Sequence, residues 1–161
     1  MNTNDETRSL DELVHAGEVV SLTTVAPDGG LTSRPLTVAE AHGGVLTFLV
    51  DRTAHWAASL VDGARVNVAS SGGAHNTWAS VSGHVAVSAD RSTIERLWSP
   101  AAGAFFDGAD DERIAALQVS MDSGEYWSAP GGGPVGRLVA LLGAAFGRQE
   151  TAGSQGEISR D

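Results

Sequence analysis

Alternation between apolar and polar positions dominates this chain, and it predicts strands. Residues 18–26 (EVVSLTTVA) mix β-branched and polar side chains and stop at Pro27-Asp28-Gly29-Gly30, which has strong turn chemistry. Residues 31–40 and 45–51 read the same way, joined by Ala41-His42-Gly43-Gly44. Residues 65–70 set Val66, Val68 and Ser70 against Asn67 and Ala69. The long run 75–89 places Val81, Gly83, Val85 and Val87 on one side, and a glycine there predicts a bulge or bend. A sixth strand is expected over 114–127. Helical spacing at Trp56, Ala57, Leu60 and Val61 predicts a helix over 53–61. Further helices are expected over 91–98, after Asp90, and over 134–146, begun by Pro134 and preceded by a glycine hinge at 131–133. Ser9-Leu10-Asp11-Glu12 spells a capping box, so a short helix should run from there toward Gly17.

Six short strands with helices between them predict a mainly β fold of the α+β kind. The connection at residues 27–30 is too short for a parallel crossover, so the strands should form a six-stranded antiparallel barrel. With 161 residues, one domain is expected over 9–147. Residues 1–8 are polar and acidic and are expected to be disordered, and the Gly/Ser/Glu-rich residues 148–161 to form a flexible tail.

Composition removes several functions. The formal net charge of −10 opposes sequence-independent binding to nucleic acid or to an anionic membrane. All ten basic residues are arginine, so no lysine can form a Schiff base. The absence of cysteine excludes disulfides, thiolate nucleophiles and cysteine-ligated metals. The N-terminus lacks an apolar signal core, and the longest apolar run, 138–146, is too short to span a bilayer. A cytoplasmic location is expected.

The candidate chemistry centres on residues 31–56. Arg34 lies on a strand, beside a strand-to-helix corner at Asp51-Arg52-Thr53. Arginine can clamp an anion, and a helix start offers unpaired N–H groups. The competing reading of Arg34 is a cross-strand ion pair. Asp107, Asp110 and Asp111 read as caps or solvated loop before they read as a cation site, and Glu12 and His15 as a surface pair; no metal is expected. His75 and His84 have no acidic or nucleophilic partner at short spacing, and no nucleophile elbow occurs. Trp56, Trp78, Trp98 and Trp127 are either core and interface packing or an aromatic wall for a planar ligand.

Read in order, these segments resemble the general-stress-protein branch of the pyridoxamine 5'-phosphate oxidase-like, FMN-binding split-barrel family. The resemblance is carried by residues 23–29, Ser33-Arg34-Pro35-Leu36, Leu46-Thr47-Phe48-Leu49-Val50-Asp51, Ala64-Arg65-Val66 and Ser80-Val81-Ser82-Gly83. It continues through Ala89-Asp90-Arg91, Leu97-Trp98-Ser99-Pro100, Phe106-Asp107-Gly108 and Glu125-Tyr126-Trp127. It implies a six-stranded split β-barrel that forms a homodimer, with FMN in clefts at the interface and the flavin carrying oxidoreductase chemistry. By position, Arg34 would contact the flavin phosphate. Leu36 and Thr37 would offer backbone to the ring, and Leu49, Val50 and Asp51 would line its pyrimidine side. Trp78 would face the ring, and Trp127 would reach it from the second subunit. His55 and Trp56 fall in the corner where the family supplies a hydroxyl, a basic residue and a lysine to the phosphate; here that corner reads Ala54-His55-Trp56. Weak FMN binding is one expectation, and a non-catalytic ligand-binding or stress-response dimer is the alternative. Related barrels also imply deazaflavin or haem as other cofactors. True pyridoxamine phosphate oxidase activity is not expected, because no arginine-histidine segment follows Trp127.

Overall fold

The computed structural model of the chain describes residues 7–58, 60–71, 77–128 and 154–160. Its strands are β1 (Arg8–Ser9), β2 (Val19–Val25), β3 (Leu31–Thr37), β4 (Glu40–His42), β5 (Val45–Asp51), β6 (Arg65–Ser71), β7 (Thr77–Ser88), β8 (Ile114–Ser128) and β9 (Ser154–Ser159). Three short helices join them: α1 (Leu10–Leu13), α2 (His55–Ala58) and α3 (Arg91–Leu97). All the strands belong to one mixed sheet with the ladder β1-β9-β8-β7-β6-β2-β3, and β5 pairs with both β4 and β8. The β1–β9 pair is parallel and every other pair is antiparallel. The mainly β fold with few helices is as expected, and the described residues form one nine-stranded mixed sheet that does not close on itself, where six antiparallel strands in a barrel were expected.

Local chemistry explains most element ends. The capping box at Ser9 forms, with Glu12 accepting from the Ser9 N–H at 2.9 Å. The β4–β5 turn falls on Gly43 and Gly44, both at positive φ (58° and 73°), where a side chain would be strained. Asp90 begins α3 by accepting from the Thr93 N–H at 2.9 Å.

The single strand predicted over 31–40 divides because the chain changes partner. Leu31–Thr37 pairs with β2. Val38 then donates to the Glu18 carbonyl, and Ala39 donates to the Thr47 carbonyl on β5. Of the helix predicted over 53–61, the described residues show His55–Ala58. The Asp51 carboxylate ties up the Thr53 N–H and hydroxyl before it, and Gly63, at φ 84°, turns the chain after it.

Both termini depart from expectation. Arg8, placed in a disordered segment, pairs with Ile158. The tail predicted over 148–161 contains β9, which pairs with Glu125–Ser128 of β8. The sequence SQGEIS hides this strand, since one large apolar residue gives no alternation, yet Ile158 is buried in the main core. The helix predicted over 134–146 and the hinge at 131–133 lie outside the described residues.

The main core is built from Val20 and Leu22 of β2, Leu46, Phe48 and Val50 of β5, Val66 and Val68 of β6, Val81 and Val85 of β7, and Leu117, Val119 and Tyr126 of β8. Leu10 and Val14 seal one end. A smaller cluster, Ile94, Phe106 and Ile114, packs α3 against β8 and β5, with Leu49 and Trp98 at its edge. The predicted bulge occurs at Gly83: Ser82 pairs with Ser123 and Gly83 with Met121, leaving Asp122 as the extra residue.

Candidate functional site

Arg34 pairs with Leu22 and Leu36 with Val20, so both lie on the core-facing side of β3. The Arg34 guanidinium donates to the Thr24 hydroxyl at 2.9 Å. One face is covered by the Trp56 ring, with Cζ 4.3 Å from the ring centroid. A guanidinium stacked on an indole is a favourable cation–π contact, and the fixed ring leaves the donor edge to meet an anion. Among the described residues no carboxylate lies within ion-pair distance of Arg34, and its partial burial pushes its pKa below the ordinary value. The cross-strand ion pair that competed in the sequence is thus absent among the described residues. A half-buried cation in a chain with twenty carboxylates, held by a hydroxyl and an indole, is the strongest anion-binding feature here.

The flanking groups are engaged elsewhere. Arg52 donates to the Glu112 carbonyl at 2.9 Å. Asp51 accepts from the Thr53 hydroxyl and N–H, and these bonds, with Arg113 near by, hold its pKa low. His55 begins α2 and is exposed. The corner therefore offers one strong cation, with His55 beside it.

The remaining predicted residues fall elsewhere. Trp78 and Trp127 form a cross-strand pair between β7 and β8. At 37% and 38% exposure they are open to a ligand or partner, a notable exposure for indoles. They lie on the outer face of the ladder, as Ala79 and Tyr126 beside them point into the core. Thr37 is also exposed, whereas Leu36 packs against the core. Val50 is buried in the main core, and Leu49 packs in the α3 cluster. The chain therefore gathers Arg34 and Trp56, gathers Trp78 and Trp127 separately, and places the two groups on opposite faces of the sheet.

Two clusters read differently from the sequence. Asp111 takes a 2.6 Å contact from Arg113, which also reaches Asp107 at 3.4 Å. Hydrogen bonds from Arg113 push the Asp111 pKa far down. His84, which has no partner at short spacing, meets Asp122 across the ladder at 3.0 Å, and Arg160 approaches the same carboxylate at 3.5 Å. Sequence reasoning missed this contact because the bulge creates it. Thr24 was missed as well; as a polar residue among the buried positions of β2, it was the available signal.

The family model for pyridoxamine 5'-phosphate oxidase-like proteins matches residues 5–151, and the chain belongs to that family. Among solved structures it is similar to the general stress FMN/FAD binding protein of Xanthomonas citri, at 29% identity over 70% of this chain and 80% of that one, with a TM-score of 0.60. A chain from Jannaschia sp. CCS1 matches at 20% identity over 96% of this chain and 92% of that one, with a TM-score of 0.65. The General Stress Protein 26 of Bacillus anthracis str. Sterne matches at 16% identity over 69% of this chain and 84% of that one, with a TM-score of 0.60. These last two share the fold. No curated protein matches the chain. No helix among the described residues is long and apolar enough to cross a membrane.

Proposed function

We propose that this protein is a flavin-binding split-barrel homodimer of the cytoplasm whose bound flavin carries oxidoreductase chemistry. The observation that carries the reading is the Arg34 guanidinium, held by Thr24, stacked on Trp56 and without a carboxylate among the described residues. Such a group is matched to the anionic end of a flavin nucleotide. The Ala39-to-Thr47 hydrogen bond brings the end of β3 onto β5, which fits a barrel that is split rather than sealed. The similarity to an FMN/FAD binding protein supports the same ligand class.

A second copy accounts for the outer face. There Val25, Leu31, Trp78 and Trp127 are exposed around small polar residues of the same face, among them Thr23, Ser33 and Asn67. A flat face of this kind suits a partner surface and a planar ring together. In this arrangement Arg34 of one protomer anchors the anion and the tryptophan pair of the other covers the ring. The flavin supplies the redox step when bound, and the chain orients it and controls access to water.

The test is a titration with FMN, FAD and riboflavin, followed by tryptophan quenching and flavin absorbance, with light scattering for the dimer. Wild-type protein should bind flavin as a dimer. Arg34→Gln should weaken both nucleotides by tenfold or more, as expected for a charge-assisted bond of about 1.5–3 kcal/mol, and leave riboflavin unchanged. A protein that binds none of the three refutes the reading. A second reading, a dimer that binds ligand without turnover, is favoured by Trp56 filling the corner beside Arg34; a flavin-loaded protein that fails to oxidise a nicotinamide donor would select it.

A further inference from the structure

The inward face of β2 reads Val20, Leu22 and Thr24, and all three residues are buried. Valine has nearly the shape of threonine, and Thr24 pairs with Val66 on β6, so packing alone favours an apolar residue here. The hydroxyl is explained by Arg34, which stands two positions along β3 from Thr32, the residue opposite Thr24. The guanidinium donates to Thr24 Oγ1 at 2.9 Å. That bond uses the hydroxyl only as an acceptor. A hydroxyl also has one proton to donate, and among the described residues Thr24 Oγ1 makes no other hydrogen bond. At 6% exposure the residue has little water to give that proton to.

We propose that Thr24 is a direct ligand of the flavin phosphate, its hydroxyl accepting from Arg34 and donating its own proton to a phosphate oxygen, an inference that rests on the flavin reading above. Accepting from a cation polarises the O–H bond and makes it a better donor. A hydrogen bond to an anionic oxygen is also stronger than one to a neutral acceptor. The 2.9 Å contact sets hydroxyl and guanidinium side by side, so one phosphate group can meet both. Trp56 covers one face of the guanidinium and holds it in this arrangement.

The experiment is a double-mutant cycle of Thr24→Val, Arg34→Met and the two combined, with FMN and riboflavin binding followed by tryptophan quenching and flavin absorbance. The quantity read is the ratio of FMN to riboflavin affinity, which isolates the phosphate. Thr24→Val should lower that ratio by about tenfold, and Thr24→Ser, which keeps the hydroxyl, should hold it within about threefold of wild type. Thermal melting reports whether each variant is folded; should Thr24→Val not fold, Thr24→Ala carries the same comparison. The deciding step is made on the Arg34→Met background. A residue that acts only by positioning Arg34 has nothing left to act on there, whereas removing a direct donor should lower the ratio by a further threefold or more, roughly. A change within about twofold on that background overturns the proposal. An Arg34→Met protein that binds riboflavin but no FMN overturns it as well. Both results leave flavin binding by the wild type intact, whereas a wild type that binds neither FMN nor riboflavin refutes the flavin reading itself.

Discussion

Replacing Gly83 with alanine tests the sheet at its tightest point. A Cβ at this buried position would lie 2.2 Å from the Ser120 carbonyl oxygen, 3.0 Å from its carbon and 3.2 Å from Val119 Cγ1. Ordinary C···O contacts across a sheet begin near 3.3 Å, so β8 must withdraw from β7 by about 1 Å. That movement is resisted on both sides, since the same stretch of β8 pairs with β5. Overpacking of this kind costs about 1–3 kcal/mol, and loosened ladder hydrogen bonds add about 1 kcal/mol each. We expect a loss of about 2–4 kcal/mol, which for a chain of this size lowers Tm by roughly 5–15 °C. Calorimetry or thermal circular dichroism measures it directly. Gly103→Ala is the control: its nearest neighbour would be Trp98 Cζ2 at 3.8 Å, an ordinary contact, and its Tm should stay near wild type. If Gly83→Ala melts within about 2 °C of wild type, the close β7–β8 approach and the bulge derived from it are wrong.

Three further outcomes follow from other parts of the molecule. Ile158 is buried and meets the position of a Gly124 Cβ at 3.0 Å, so Ile158→Ala should cost about 2–4 kcal/mol by denaturant titration; a loss under about 1 kcal/mol would show that the C-terminal strand does not seal the core. Arg34→Met keeps the stem against Trp56 but removes a partly desolvated charge, so stability should stay within about 1 kcal/mol of wild type while flavin nucleotide affinity falls; a large drop in Tm would make Arg34 a structural residue. Hydrogen bonds from the Thr93 and Ser92 hydroxyls and the Thr93 N–H hold the Asp90 carboxyl at about 2, below its unfolded value near 4. The folded state gains from the ionised cap above the unfolded value, and that gain disappears as pH falls toward 2. Asp90→Ser retains a capping oxygen without the titration, so its Tm should fall less than wild type between about pH 5 and pH 2.5, and an identical fall would refute the assignment.

Much of the fold was legible because its signals are local. Alternation placed β2, β5, β6, β7 and β8 close to their observed limits, and Gly83 inside an alternating run marked the bulge. Asp90 and the Ser9 capping box announced their helices through hydrogen bonds made within three residues. Where a segment depends on distant partners the sequence was silent. The division of residues 31–42 into β3 and β4 follows from β5 standing beside Ala39. β9 has one buried large apolar side chain, and it becomes a strand because the free edge of β8 supplies its hydrogen bonds.

The site divides along the same line. Sequence by itself determined the residue inventory: one arginine type, no lysine, no cysteine, four tryptophans, and a corner reading Ala54-His55-Trp56. It thereby limited the chemistry to an arginine-held anion and an aromatic surface. Tertiary structure alone decided that Trp56 stacks on Arg34 across 22 positions of sequence, that Thr24 anchors the guanidinium, and that Trp78 and Trp127 pair on the opposite face. It also decided that Asp122 meets His84. The reason is physical: composition and spacing set what each side chain can do, while strand register, with its two-residue period, sets which face it does it on.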